Sequence, residues 1–395
     1  MSEQLRNLLA KLEQVNPGDR DAVATVHSWL SYAADDPDSL TAEFAIGFPY
    51  AEKIAKAAGD LELMRRITDA CLIAVRGSTP RLRWELGLEA RVLICGAGWH
   101  LQRTHQLESA LNHTQRGVEI AQGITARHTE AFGKKCLGRL ERLIAEGSRI
   151  PNNESERRLE TSVELLQNAR RMFFGIEGSD SAEAGDCFSL EGRTWLVRHR
   201  ISPSTSLVHA IDCAREARRL IPADNSKDYW DLVILEAEIK LAENEPAVAL
   251  KIIDDTISHL SARSDGSNRS EIVARALCCR ASILGRWHPR SGIAPAIEDL
   301  RRAEAIYADL NQVYLAAECR WRQLILDPNI AATAYLDRQE LDELERAEPN
   351  VQVRLIALQE LDEILQNRDH RLVGRRSRVD WTPILKRARL RNLRD

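Results

Sequence analysis

The histidines, cysteines and glycine runs of this 395-residue chain are the places where catalysis or metal binding would show first. His100 and His105 stand five positions apart, and at about 100° per residue that spacing turns the second ring roughly 140° away from the first, a poor arrangement for one shared metal. Cys278 and Cys279 are adjacent, so on a helix they diverge, which suits packing better than chelation. The eight cysteines contain no C-x-x-C pair, which argues against both a zinc site and a small disulfide framework. Gly96-x-Gly98 lacks the third glycine and the preceding strand of a dinucleotide loop, and no Walker loop, H-E-x-x-H or G-x-S-x-G occurs. With no nucleophile, base or metal constellation legible, the sequence predicts no enzyme and no cofactor.

Charge offers a second kind of chemistry. The formal net charge is −4, but from Arg368 to the end there are ten Arg or Lys against three Asp, so that segment carries +7 and the rest −11. "RRSRVDWTPILKRARLRNLRD" has Thr382 as a cap, Pro383 in the first turn, and Arg387, Arg389 and Arg391 above a partly apolar face. Residues 371–395 therefore read as a basic capping helix or tail, able to contact a partner protein or, less favourably, nucleic acid. The acidic stretches "LDRQELDELERAEP" and "LQELDEILQNRD" could dock such a basic segment, though charged helix faces are usually solvated. "RHR" (198–200) and "REARR" (215–219) sit among acidic neighbours, which weakens them as a nucleic-acid track.

Helices must position these groups. Gly and Pro are sparse, aromatics are 5%, and apolar residues recur at three- and four-residue spacings. Helices are predicted over 3–15, 20–34, 38–58, 61–76, 81–101, 105–122, 126–146, 155–173, 181–199, 205–220, 227–243, 247–261, 270–287, 294–310, 312–326, 337–346, 351–367 and 382–393, about nine hairpins joined by short breaker-rich turns. The small and polar stretch 175–186 is the best place for a hinge. Consecutive hairpins cannot each bury a face alone, so neighbours must stack into a solenoid. The longest apolar run, "ACLIAV", is far too short to span a bilayer, and "MSEQLRNLLAKLEQV" is charged throughout, so a soluble cytoplasmic protein without membrane contact is expected.

Small residues recur where two helices of a hairpin would touch, although glycine inside a helix costs about 1 kcal/mol relative to alanine. Ile94-x2-Ala97-Gly98-x2-Leu101, then Ala110-x3-Thr114, then Gly117, resembles the tetratricopeptide repeat, with bulky apolar residues at its aromatic places. The pattern returns as Ala210-x3-Ala214, Ala217 and Pro222, as Ala237, Ala249 and Thr256, around Gly59, and at Ala296 and Ala303. The second-helix anchors Met64, Ala110, Ser162, Ala210, Ala249 and Ala296 lie 46, 52, 48, 39 and 47 apart, against a family period of about 34, and armadillo or HEAT hairpins have periods of about 40 to 47. The expected architecture is thus all-α: a right-handed α-solenoid of antiparallel pairs over 1–370, with longer repeats than standard.

The resemblance implies a concave groove lined by the first helices. It places Val92, Cys95, Trp99, Gln102 and Arg103 there in one repeat, and Asp231, Ile234, Leu235, Glu238 and Leu241 in another. These do not make the Lys, Asn and Arg clamp with which some family members hold a C-terminal carboxylate, so a groove for apolar or basic segments is expected. The function so implied is a non-enzymatic scaffold or adaptor that binds a protein or peptide on the concave face. The alternatives are a ligand-gated regulator of the same fold, gated by a peptide or small molecule, and a nucleic-acid-associated protein using the basic tail. If Gly98 is a contact position, Gly98→Leu forces two helices apart, whereas a leucine at Asn244, in an exposed turn, should be nearly silent.

Overall fold

The computed structural model of the chain describes residues 2–17, 19, 21–35, 41–77, 81–103, 106–147, 152–202, 205–223, 227–261, 267–287, 291–310 and 312–326. The helices expected at 337–346, 351–367 and 382–393, and the whole of 371–395, lie outside these residues. Among those described there are fifteen helices: α1 (Glu3–Gln14), α2 (Ala22–Asp35), α3 (Phe48–Ala58), α4 (Leu61–Arg76), α5 (83–103), α6 (Leu107–Gly123), α7 (Arg127–Gly147), α8 (Asn152–Glu177), α9 (Ala182–Ile201), α10 (Ser206–Leu220), α11 (Lys227–Ala242), α12 (Pro246–Ser261), α13 (Ser267–Trp287), α14 (Ile293–Asp309) and α15 (Val313–Leu326).

Local chemistry sets several of the boundaries. Ser2, Asp60 and Ser181 cap α1, α4 and α9, each accepting a backbone N–H three residues on, at 3.1, 2.8 and 3.1 Å. Gly59, at φ 67°, ends α3 in the left-handed conformation that glycine adopts without a Cβ clash. The helix predicted over 38–58 begins later. A 3-10 turn occupies Phe44–Gly47 and α3 starts at Phe48, because Pro49 has no N–H to donate and its ring collides with the carbonyl four residues earlier if the helix runs through. Within α5, Val92–Gly98 forms a π-helical segment between the α-helical Arg83–Arg91 and Trp99–Arg103. The stretch proposed as a hinge is the end of α8, the turn 178–181 and the start of α9, and the two helices pack on each other.

The small residues sit where helices approach closely. A Cβ on Gly98 would lie 2.4 Å from Thr114 Oγ1, and one on Gly117 would lie 2.7 Å from Ile94 Cγ1 and 2.9 Å from the Ala90 carbonyl oxygen. Ala110, Ala210, Ala217, Ala237 and Ala249 are all fully buried. Pro222 stands exposed just past the end of α10. Asn244 corrects an expectation: its φ is 62°, a conformation asparagine tolerates and leucine does not, so leucine there is strained. Gly123, where a Cβ would meet no other helix within 4 Å among the described residues, is the neutral position instead.

Every helix packs on its neighbours in sequence, and the odd-numbered ones also touch one another in succession from α1 through α3, α5, α7, α9 and α11 to α13. Even-numbered helices fill the grooves between them. The row does not stay flat. Helices pack about 8–10 Å apart, so five steps would leave α3 and α13 about 40–50 Å apart in a flat row; instead they are in contact, and Arg103 of α5 meets Glu271 of α13, 168 positions away, at 2.8 Å. The row from α3 to α13 therefore curls until its ends meet. Apolar cores lie between the layers; the N-terminal one is built on Trp29 stacked against Phe44 at 4.2 Å, and the other large one joins α11 to α15.

Candidate binding face

Polar side chains bridge the odd-numbered helices, beside apolar contacts such as Leu196 with Leu235. Helical periodicity sets Lys135, Arg139, Arg142 and Glu146 on one face of α7, Asp186, Arg193 and Arg200 along α9, Asp231 and Glu238 on α11, and Glu271 and Arg275 on α13. Each successive pair of helices is bridged. Arg91 reaches Glu52 of α3 at 3.6 Å. Gln102, with its carbonyl oxygen turned towards α7, accepts from Arg139 Nε and Nη2 at 3.0 and 3.2 Å. Lys135 holds Asp186 at 2.9 Å and also Glu183. Arg193 donates to the Asp231 carbonyl at 2.6 Å and to Glu238 at 3.2 Å. Arg275 pairs with Asp231, Lys227 lies 3.8 Å from Glu271, and Arg103 closes the circuit with a two-pronged contact to Glu271 at 2.8 and 2.9 Å.

Electrostatics divide these groups into two kinds. Burial would raise the Glu271 carboxyl, but Arg103 and Lys227 hold it far below the usual carboxylate range. Asp231 is lowered likewise, with Arg275, Lys227 and Arg193 overcoming its burial, and Arg275 is raised by Asp231 and Glu271 against its own burial. Arg139 and Arg142 go the other way. Burial, with Arg103 next, pulls Arg139 down, and burial pulls Arg142 down to about 10 despite Glu146. Lys227 is also lowered, chiefly by burial. Arg139 and Arg142 of α7 and Lys227 of α11 are thus the cations that their neighbours do not fully compensate.

Of the residues placed in the groove by the repeat resemblance, Gln102, Arg103, Asp231 and Glu238 meet here. Trp99 is half-buried between Lys56 Nζ and the Arg103 guanidinium, each 5.3 Å from its ring centroid, so it steers Arg103 rather than standing free. Leu235 corrects the expectation. It is fully buried in the core with Leu196 and Leu232, because its side chain fills the space beside Gly192, whose Cβ would lie 3.1 Å from Leu235 Cδ2. Arg387, Arg389 and Arg391 lie outside the described residues. Arg139, Arg142, Arg193, Lys227, Glu271 and Arg275 escaped the sequence reading; the turn-by-turn spacing of Lys135, Arg139 and Arg142 was the available signal.

His105 also lies outside the described residues. Cys278 faces Cys319 at 3.5 Å, and all eight cysteines are free. Among the described residues no three His, Cys, Asp or Glu side chains converge as a metal ion requires, and no helix is long and apolar enough to cross a membrane. No protein-family model matches the chain, and no curated protein is significantly similar to it.

Proposed function

We propose that the chain is a non-enzymatic interaction scaffold, a right-handed tetratricopeptide-like solenoid with long repeats that binds a partner protein or peptide along the face shared by its odd-numbered helices. The observation that carries this reading is the circuit of polar and charged side chains contributed by α3, α5, α7, α9, α11 and α13. A face built from one position in each of several consecutive hairpins suits an extended ligand, since each hairpin offers it one contact. Glycine and alanine at the helix contacts support the repeat assignment.

A second reading, a ligand-gated regulator, draws on the Arg103–Glu271 contact. It joins helices far apart in sequence, and a ligand that competes for either side chain would favour an opened arrangement.

Co-purification of the native protein from its own cell tests the scaffold reading. The partner is expected to be lost with Arg193→Ala, and retained with Arg116→Ala on the exposed side of α6 and with deletion of 371–395. Loss of the partner only on that deletion would move binding to the basic tail.

A further inference from the structure

Between α7, α9 and α11 lies a cavity of about 40 Å³. Three guanidinium groups line it, those of Arg142, Arg193 and Arg200, with the carboxylates of Glu146 and Glu238 and an apolar wall at Leu196. Three cations against two anions leave one positive charge, and Arg139 adds another one turn along α7. Arg142 is only 9% exposed. It donates to Glu146 at 2.9 Å, while its Nε has no acceptor among the described residues. The second Glu146 oxygen is 3.7 Å from Arg200, and Arg193 is divided between Glu238 and the Asp231 carbonyl.

Size narrows the ligand. A water needs about 10–15 Å³ of such space, so the cavity has room for a group the size of a carboxylate. A buried guanidinium gains most from a planar oxyanion that takes two parallel N–H donors. We propose that this cavity is a carboxylate-binding site, with Arg142 as its floor and Arg193 and Arg200 as its sides, and that the remainder of an acidic ligand, in place of the apolar or basic segment expected from the repeat resemblance, runs along the shared face. The site stands on the cavity itself; its assignment to an acidic peptide rests on the scaffold reading.

The test uses the full-length chain, followed by calorimetry and thermal melting at constant ionic strength, with sodium succinate against uncharged succinamide. Succinate should bind saturably and raise the melting temperature, and succinamide should do neither. Arg142→Gln should weaken succinate at least tenfold while melting no lower than the parent without ligand, because the buried charge it removes is under-compensated and the partner it leaves, Glu146, is 33% exposed and keeps Arg200 at 3.7 Å. A merely structural arginine would give the opposite pattern. Should that variant fail to fold, Arg200→Gln at the rim, whose side chain is 55% exposed, should still weaken succinate several-fold, with Arg116→Gln unchanged. Equal responses to succinate and succinamide, a response that survives both cavity substitutions, or inorganic phosphate binding as tightly as succinate would overturn the proposal. An oligoglutamate peptide that displaces succinate, where oligoglutamine does not, supports a peptide source. Succinate binding that the peptide cannot displace upholds the site and removes its assignment to an acidic peptide.

Discussion

Glu271→Gln is expected to lower stability by about 3–5 kcal/mol, the cost of removing one partner from a buried ion pair and leaving the other charge uncompensated. Glu271 is buried, carries both prongs of Arg103 and lies near Lys227, and the field of Arg139 and Arg275 falls on the same place. An amide can accept one hydrogen bond there but cancels no charge. The substitution should also alter the acid limb of the stability curve. Because the folded Glu271 carboxyl sits below its unfolded value, its contribution is complete above about pH 5 and is lost as pH falls towards the folded value. Urea midpoints measured from pH 7 to pH 3 should therefore fall less steeply in the variant than in the parent. Parallel curves, or a loss under about 1 kcal/mol at pH 7, would show that the closing contact carries little weight.

The second large effect is expected at Gly117. A leucine there must displace Ile94 and, at 2.9 Å from its first carbon, the carbonyl of Ala90, and backbone inside a helix does not give way cheaply. Overpacking of this kind costs about 1–3 kcal/mol, occasionally more, and Gly117→Leu should reach or exceed the upper figure. Gly98→Leu should fall within the range, since the atoms it meets first belong to the Thr114 side chain. Gly123→Ala should leave thermal melting unchanged or slightly raised. Unchanged melting in both leucine variants would mean that α5 and α6 do not pack as described.

Helix pairing and the small-residue contacts were legible because both depend on short spacings: Gly98, Ala110 and Gly117 mark a hairpin within about two helical lengths of chain. Curling of the odd-numbered row was not legible. It depends on Arg103 reaching Glu271, 168 positions away, and no local period encodes a contact at that range. The candidate face was half legible for a related reason. Arg103, Asp231 and Glu238 fall at repeat positions of two hairpins, but the arginines of α7 lie in a hairpin whose small residues, Gly133 and Gly138, stand elsewhere. Their built Cβ atoms meet Val118 at 2.4 Å and Leu166 at 2.7 Å, so this helix makes the same close packing from different positions. Leu235 was misplaced because α11 is apolar on most of its circumference, with Trp230, Leu232, Val233, Ile234, Leu235, Ala237 and Ile239 all buried, and periodicity alone does not tell its faces apart.

The central claim is that partners engage the shared face of the odd-numbered helices. The most direct measurement is site-specific photocrosslinking in the native cell, with a benzophenone amino acid at position 202, just past the end of α9 and two residues beyond Arg200 of the α7–α9–α11 cavity, or at exposed position 115 on α6. The account predicts one discrete crosslinked partner from position 202, suppressed by Arg193→Ala, and none from position 115. Crosslinks from position 115 alone, or from position 202 regardless of Arg193, would contradict it.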